Sequence, residues 1–211
     1  MDTATINKIF ETFNSHDANP KTELKSTNPY TCLVAVVLSA RTTDIQVNKA
    51  TESLFKLIKT PIDMLELGEE GLKQYIKSIG LYITKARNII ALSKILIEQH
   101  NSKVPSSLEE LVLLPGVGSK TAKVILNSVF NKPTIAVDTH VFRVSRRLGV
   151  TKKDTISRVE VDLEKVIPKK WKVKAHHWLV LHGRYICKAR VPLCYKCPVS
   201  KYCEYFNSSA M

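Results

Sequence analysis

The chain is 211 residues long, 44% hydrophobic and 24% charged, a composition that supports a folded core and excludes a disordered or low-complexity protein. Its 32 Lys and Arg against 19 Asp and Glu leave a net charge of +13, which points to a polyanionic partner. The longest apolar run, Cys32 to Leu38, is far too short to cross a bilayer, and the opening MDTATINKIF lacks the basic and apolar regions of a secretory leader, so a cytoplasmic protein with no membrane partner is expected.

The apolar period is helical nearly throughout. Ile6, Ile9, Phe10 and Phe13 recur at i, i+3, i+4 and i+7 and predict an amphipathic helix over 5–17. Tyr30 to Ala40 is apolar almost all round, as in a helix buried inside a bundle. A strand would fit that run alone, but no further strands accompany it. Asp44 is the expected N-cap of the next helix, whose apolar face is Val47, Leu54, Phe55 and Ile58. Further helices are expected near 61–67, 69–78, 83–99, 107–113, 118–130, 139–148, 155–167 and 171–186. Pro20, Pro29, Pro61, Pro105, Pro115, Pro133 and Pro168 fall at or beside the joints. There is no strand–helix alternation and no long internal repeat, so the predicted fold class is all-α.

Positive charge is unevenly placed. Residues 1–21 sum to −1 and residues 22–131 to +3, whereas residues 132–211 carry 17 basic and 6 acidic groups, a net +11. Together with the turn Asn131-Lys132-Pro133, this jump predicts a domain boundary: 22–131 as one domain, 1–21 plus 132–211 as the other. The basic third could be a solvated surface, but its density favours nucleic acid. No amphipathic segment combines the charge with exposed aromatics, which argues against a membrane surface.

Within the first domain, Leu114-Pro115-Gly116-Val117-Gly118-Ser119-Lys120-Thr121-Ala122 joins two helical patterns and predicts a helix–hairpin–helix over about 107–130. Gly116 and Gly118 permit positive φ and leave no side chain between the turn and a phosphate. The turn opens a helix whose N-terminus favours an anion, so it can grip nucleic-acid backbone without reading sequence. It is not a P-loop, since the GxxxxGK[ST] spacing and the preceding strand are absent. Lys120 lies in the first turn of that helix, where a positive helix end and nearby cations disfavour the ammonium. As a neutral amine it could attack a carbonyl carbon and form a Schiff base; as a cation it could simply contact phosphate. Asp138 follows the apolar lead-in Pro133 to Val137. It could be a plain N-cap for His140 to Leu148, or could handle protons and stabilise a developing cation.

Four of the five cysteines close the chain as Cys187-x6-Cys194-x2-Cys197-x5-Cys203. The unequal spacing suits the corners of an iron–sulfur cube better than the paired knuckles of structural zinc, and nothing else points to disulfides. Spacing alone leaves all three open.

Taken together these residues resemble the endonuclease III family of DNA glycosylases. Besides the hairpin and the cysteines, the similarity runs through Leu38-Ser39-Ala40, Thr43-Asp44, Ile79-Gly80-Leu81-Tyr82, Ala136-Val137-Asp138-Thr139-His140-Val141-Phe142-Arg143 and His176-His177-Trp178. The resemblance implies a six-helix bundle packed on a cluster domain, with a [4Fe-4S] cluster on the four cysteines. It implies a bifunctional enzyme, monomeric and nucleoid-associated if prokaryotic, that acts on double-stranded DNA containing oxidised pyrimidines or abasic sites. The damaged nucleotide is expected to be flipped into a cleft between the two domains. Lys120 matches the family's nucleophile and Asp138 its assisting carboxylate. Gly116, Gly118, Lys188 and Arg190 match DNA-backbone contacts, and His140 belongs to the matching motif. Arg41, where the family usually has Gln, and Leu81 are expected to fill the gap left by the flipped nucleotide. Val191 stands at a position that is often basic, so one phosphate contact is expected to be missing. Two alternatives are an adenine-type monofunctional glycosylase and a non-catalytic iron–sulfur DNA-binding module. The first lacks the lysine and normally carries an extra C-terminal domain, whereas this sequence ends at Met211; Lys120 with Asp138 argues against the second.

Overall fold

Caps and prolines set the helix boundaries in the computed structural model, which describes residues 1–209 and contains no strand among them. Helix α1 (Thr3–His16) starts at Asp2, whose carboxylate accepts from the Thr5 N–H at 2.8 Å. Helix α2 (Pro29–Ser39) has Pro at its first position and a reciprocal capping box between Asn28 and Thr31. Helix α3 (Asp44–Leu57) is capped by Thr43, which exchanges side-chain and backbone bonds with Gln46. The expectation for Asp44 is therefore corrected by one residue: a hydroxyl three positions before Gln completes a capping box, and Asp44 sits in the first turn, where its charge still favours the helix dipole.

Helix α4 (Pro61–Ile76) is capped by Thr60 and Asp63 and breaks at Gly68, whose φ of +71° is left-handed. The break falls between the two helices expected over 61–67 and 69–78. Helix α5 (Tyr82–His100) begins without a side-chain cap, after a left-handed Leu81. Helices α6 (Leu108–Leu113) and α7 (Ser119–Phe130) flank the glycine turn, and α8 (Thr139–Leu148) starts at Asp138. Thr155 caps α9 (Ile156–Val166), and Pro168 precedes α10 (Lys169–Tyr185). Two single 3-10 turns, Cys194–Lys196 and Ser200–Tyr202, lead to a short helix α11 (Glu204–Ser209). Helix α11 was not anticipated, because its only apolar residues, Tyr205 and Phe206, are adjacent and show no helical spacing.

The chain forms two compact units. One, Thr22–Phe130, holds α2 to α7 around a core that includes Leu33, Leu54, Met64, Leu72, Ile89 and Ile125. Helix α2 is buried from Tyr30 to Leu38, as its uniform apolarity requires. The other unit joins Met1–Lys21 to the segment from Asn131 onward. There Phe10 and Phe13 of α1 lie against Trp178 of α10 at ring separations of 6.0 and 6.3 Å. Two indoles secure the join: Trp171 Nε1 donates to Asn7 Oδ1 and Trp178 Nε1 to the Asp17 carbonyl, each at 2.9 Å. No helix among the described residues is long and apolar enough to cross a membrane.

Candidate functional site

In the first unit the glycine turn is anchored from below and open above. Leu111, Leu114, Val117 and Ala122 are buried in the core, while Gly116, Gly118, Ser119 and Lys120 are exposed. The Val117 N–H bonds the Leu114 carbonyl at 3.0 Å, closing the turn, and the Gly118 carbonyl accepts from Ala122 at 2.9 Å, starting α7. Gly116 has φ of +80°, and a Cβ there would approach the Asn88 side chain to 3.1 Å. Gly118 differs from expectation: its φ is not left-handed, and a Cβ would meet nothing within 4 Å. Its contribution is open space above the helix start rather than backbone freedom. Lys120 stands in the first turn beyond it.

Two more expected residues of this unit share an unusual conformation. Arg41 has φ of +56° and Leu81 φ of +60°, and both are exposed, Leu81 by 64%. A left-handed backbone is rare for a bulky, non-glycine residue and marks a segment held in place by its surroundings.

In the second unit Asp138 caps α8. Its Oδ1 accepts from the His140 and Val141 N–H groups at 2.9 and 2.8 Å, so the capping role weighed for it is realised. Ile135, Ala136 and Val137, just before it, are buried, and His176 Nδ1 lies 3.0 Å from the Ala136 carbonyl. His140 is half-buried, its Nδ1 accepting from Arg143 at 3.2 Å.

Cys187, Cys194, Cys197 and Cys203 form no disulfide and line one small cavity together with Leu148, His182 and Phe206. Among the described residues, no group of three or more His, Cys, Asp or Glu side chains gathers tightly enough to hold a single metal ion. Burial, reinforced by the neighbouring cysteines, pushes the Cys197 thiol up to about 11. Burial raises Cys203 in the same sense. A bound cationic centre would reverse that preference and hold them as thiolates.

Helix α8 ties this cavity to Asp138. Arg143 Nε donates to the Cys187 carbonyl at 2.9 Å and its Nη2 to the Gly183 carbonyl at 2.8 Å. One turn on, Arg147 donates to the carbonyls of Lys188 and Ala189 at 2.7 and 2.8 Å and approaches Cys187 Sγ at 3.6 Å. The capped aspartate and the start of the cysteine loop therefore hang on one helix. Lys188, Arg190 and Val191 are exposed on that loop.

Residues 34–169 match the family described as HhH-GPD superfamily base excision DNA repair protein. Endonuclease III of Rickettsia conorii is 58% identical over 206 residues, 98% of each chain. The chain belongs to the endonuclease III family. Endonuclease III of Escherichia coli K12 is 50% identical over 205 residues, 97% of each chain. A solved structure described as a trapped endonuclease III–DNA covalent intermediate, estranged-adenine complex, is similar with a TM-score of 0.89 at 42% identity, covering 100% of both chains.

As an endonuclease III family member the chain is a base excision repair DNA glycosylase. Arg143 and Arg147 are additions that sequence reading of α8 did not single out. Their i, i+4 spacing was visible, but it reads equally as a solvated basic stripe. Only the fold brings Cys187 and Lys188, some 40 residues on, beneath them.

Proposed function

We propose that this glycosylase is bifunctional: it removes oxidised pyrimidines from duplex DNA and cuts the strand 3′ to the abasic site it makes. The observation that carries the reading is an exposed Lys120 in the first turn after an open, glycine-lined hairpin. A phosphate gripped at Gly116 and Gly118 brings the sugar next to it within reach of that amine. With the damaged nucleotide flipped out of the stack, Lys120 Nζ attacks C1′ and the C1′–N bond to the base breaks. Ring opening gives a Schiff base between Nζ and C1′. Loss of a C2′ proton then expels the 3′ phosphate by β-elimination. In this reading Asp138 uses its negative charge to stabilise the cation that develops at the sugar. Arg41 and Leu81 occupy the space the nucleotide leaves, and Lys188 and Arg190 hold phosphates. His140 supports Arg143 and is not assigned a step.

The four thiols around one cavity fit a [4Fe-4S] cluster, each iron taking one thiolate. When bound, the cluster supplies a rigid frame for the loop that carries Lys188 and Arg190 and takes no part in bond breaking. The protein is expected to act as a monomer, on the chromosome in the cytoplasm.

Incubation with a duplex containing thymine glycol tests the reading: the lesion is released and the strand is cut, in that order, without added metal. Release without cutting would make the enzyme monofunctional. Asp138→Asn separates the two roles of that residue. Asn caps a helix as well as Asp, so thermal stability should stay within about 0.5 kcal/mol. Loss of the charge should slow base release by roughly 10²–10⁴-fold. Equal rates with equal stability would leave Asp138 a cap and nothing more.

A further inference from the structure

Lys85 is a buried cation to which none of the preceding roles applies. It lies on α5 at 6% exposure, and its ammonium donates to the Leu38 carbonyl at 2.8 Å, the Ala40 carbonyl at 2.7 Å and Thr42 Oγ1 at 3.0 Å. All three of its N–H donors are used, and every partner is neutral. Burial lowers its pKa. Removing an ammonium from water for three neutral oxygens is costly. What the lysine adds is geometry. Its partners bracket Arg41, whose backbone is left-handed. Lys85 itself stands in the first turn of α5, where its backbone N–H makes the helix's opening bond to the carbonyl of Leu81 at 3.0 Å, and Leu81 is left-handed too. The side chain thus ties the turn that carries Arg41 to the helix that starts at Leu81.

We propose that Lys85 is a positioning residue that clamps the turn after α2 to the start of α5 and so keeps Arg41 and Leu81 as a preformed pair, ready to fill the gap beside a flipped nucleotide. The proposal rests on the repair function above for the use made of the pair; the clamp itself rests on the hydrogen bonds. Without the clamp the turn relaxes, and its ordering has to be paid for during binding.

The test uses the full-length protein. Lys85→Met keeps the stem and removes the donors; Lys85→Gln keeps two donors and serves as the milder variant should Met impair folding. Hydrogen exchange at the amides of residues 41–43, where the Thr42 N–H bonds the Ser39 carbonyl at 3.0 Å, should speed up about tenfold or more, with the α2 core unchanged. On a duplex with a paired thymine glycol, kcat/KM should fall about tenfold for Lys85→Met and by a similar factor for Arg41→Ala, with little further loss in the double variant. Opposite an abasic analogue, where no orphan base needs company, Lys85→Met should approach wild-type rates. Unchanged exchange at 41–43 overturns the clamp. Additive losses, or equal losses on both duplexes, overturn its link to Arg41. A wild-type protein that cuts neither duplex sinks the repair function instead, while the exchange data still decide the clamp.

Discussion

Lys120→Ala should abolish strand cleavage at thymine glycol, lowering the single-turnover rate by on the order of 10⁴-fold or more, because in the proposed reaction it removes the atom that bonds to C1′. Few substitutions isolate chemistry so cleanly. Lys120 is exposed in the first turn of α7, away from the buried Ala122, Ile125 and Leu126 that seat the helix. Ala is the better helix former, so the melting point should hold within the range of about 0.5 kcal/mol usual for surface changes. Duplex binding should weaken only modestly, since one of many cations is lost. A variant that still cuts within about tenfold of wild type, under the same single-turnover conditions, would move the nucleophile elsewhere.

Cys194→Ser should cost iron, brown colour, folding and DNA binding together. Beyond the bonds from Arg143 and Arg147 to its first three carbonyls, the segment from Cys187 to Cys203 has little to hold it. Its regular structure is two single 3-10 turns, and Lys188, Ala189, Arg190, Val191 and Tyr195 are all exposed. Val199 and Cys203 are its buried anchors, and across its neck the Leu193 N–H bonds the Ile186 carbonyl at 2.9 Å. Losing a metal centre that closes such a loop should cost several kcal/mol, roughly 10 °C or more in Tm for a chain of this size. Iron analysis, visible absorption and thermal unfolding read the three effects separately. A variant that folds normally without iron would contradict a structural cluster.

Helices were legible where local chemistry fixes them. Pro29 and Pro61 open α2 and α4 at their first positions, and Ile6, Ile9, Phe10 and Phe13 mark α1 by period alone. The hairpin was legible as a motif, and the cysteines as a spacing. Thr43 and Asp44 show the limit of local rules. Two adjacent residues could each cap α3, and only the reciprocal bond with Gln46 decides between them. The left-handed backbones of Arg41 and Leu81 were not legible, because no intrinsic preference puts Arg or Leu there; tertiary contacts impose it. Lys85 was hidden for the opposite reason. A lysine on an amphipathic helix reads as a solvated charge, and its partners lie more than 40 residues upstream. Arg143 and Arg147 were obscured in the same way by the distance to Cys187 along the chain. Chemistry carried by a short motif could thus be read from sequence, whereas chemistry that depends on long-range support could not.

The proposed reaction turns on a covalent Schiff base at one lysine. Borohydride added during cleavage of a thymine glycol duplex reduces an imine to a stable amine, leaving protein and DNA permanently joined. Digestion and mass spectrometry should then place the nucleotide remnant on the peptide spanning Leu114 to Lys123, at Lys120, with no adduct from Lys120→Ala. An iron-loaded wild-type protein that gives no adduct, or one mapped to another residue, would contradict a Schiff base at Lys120.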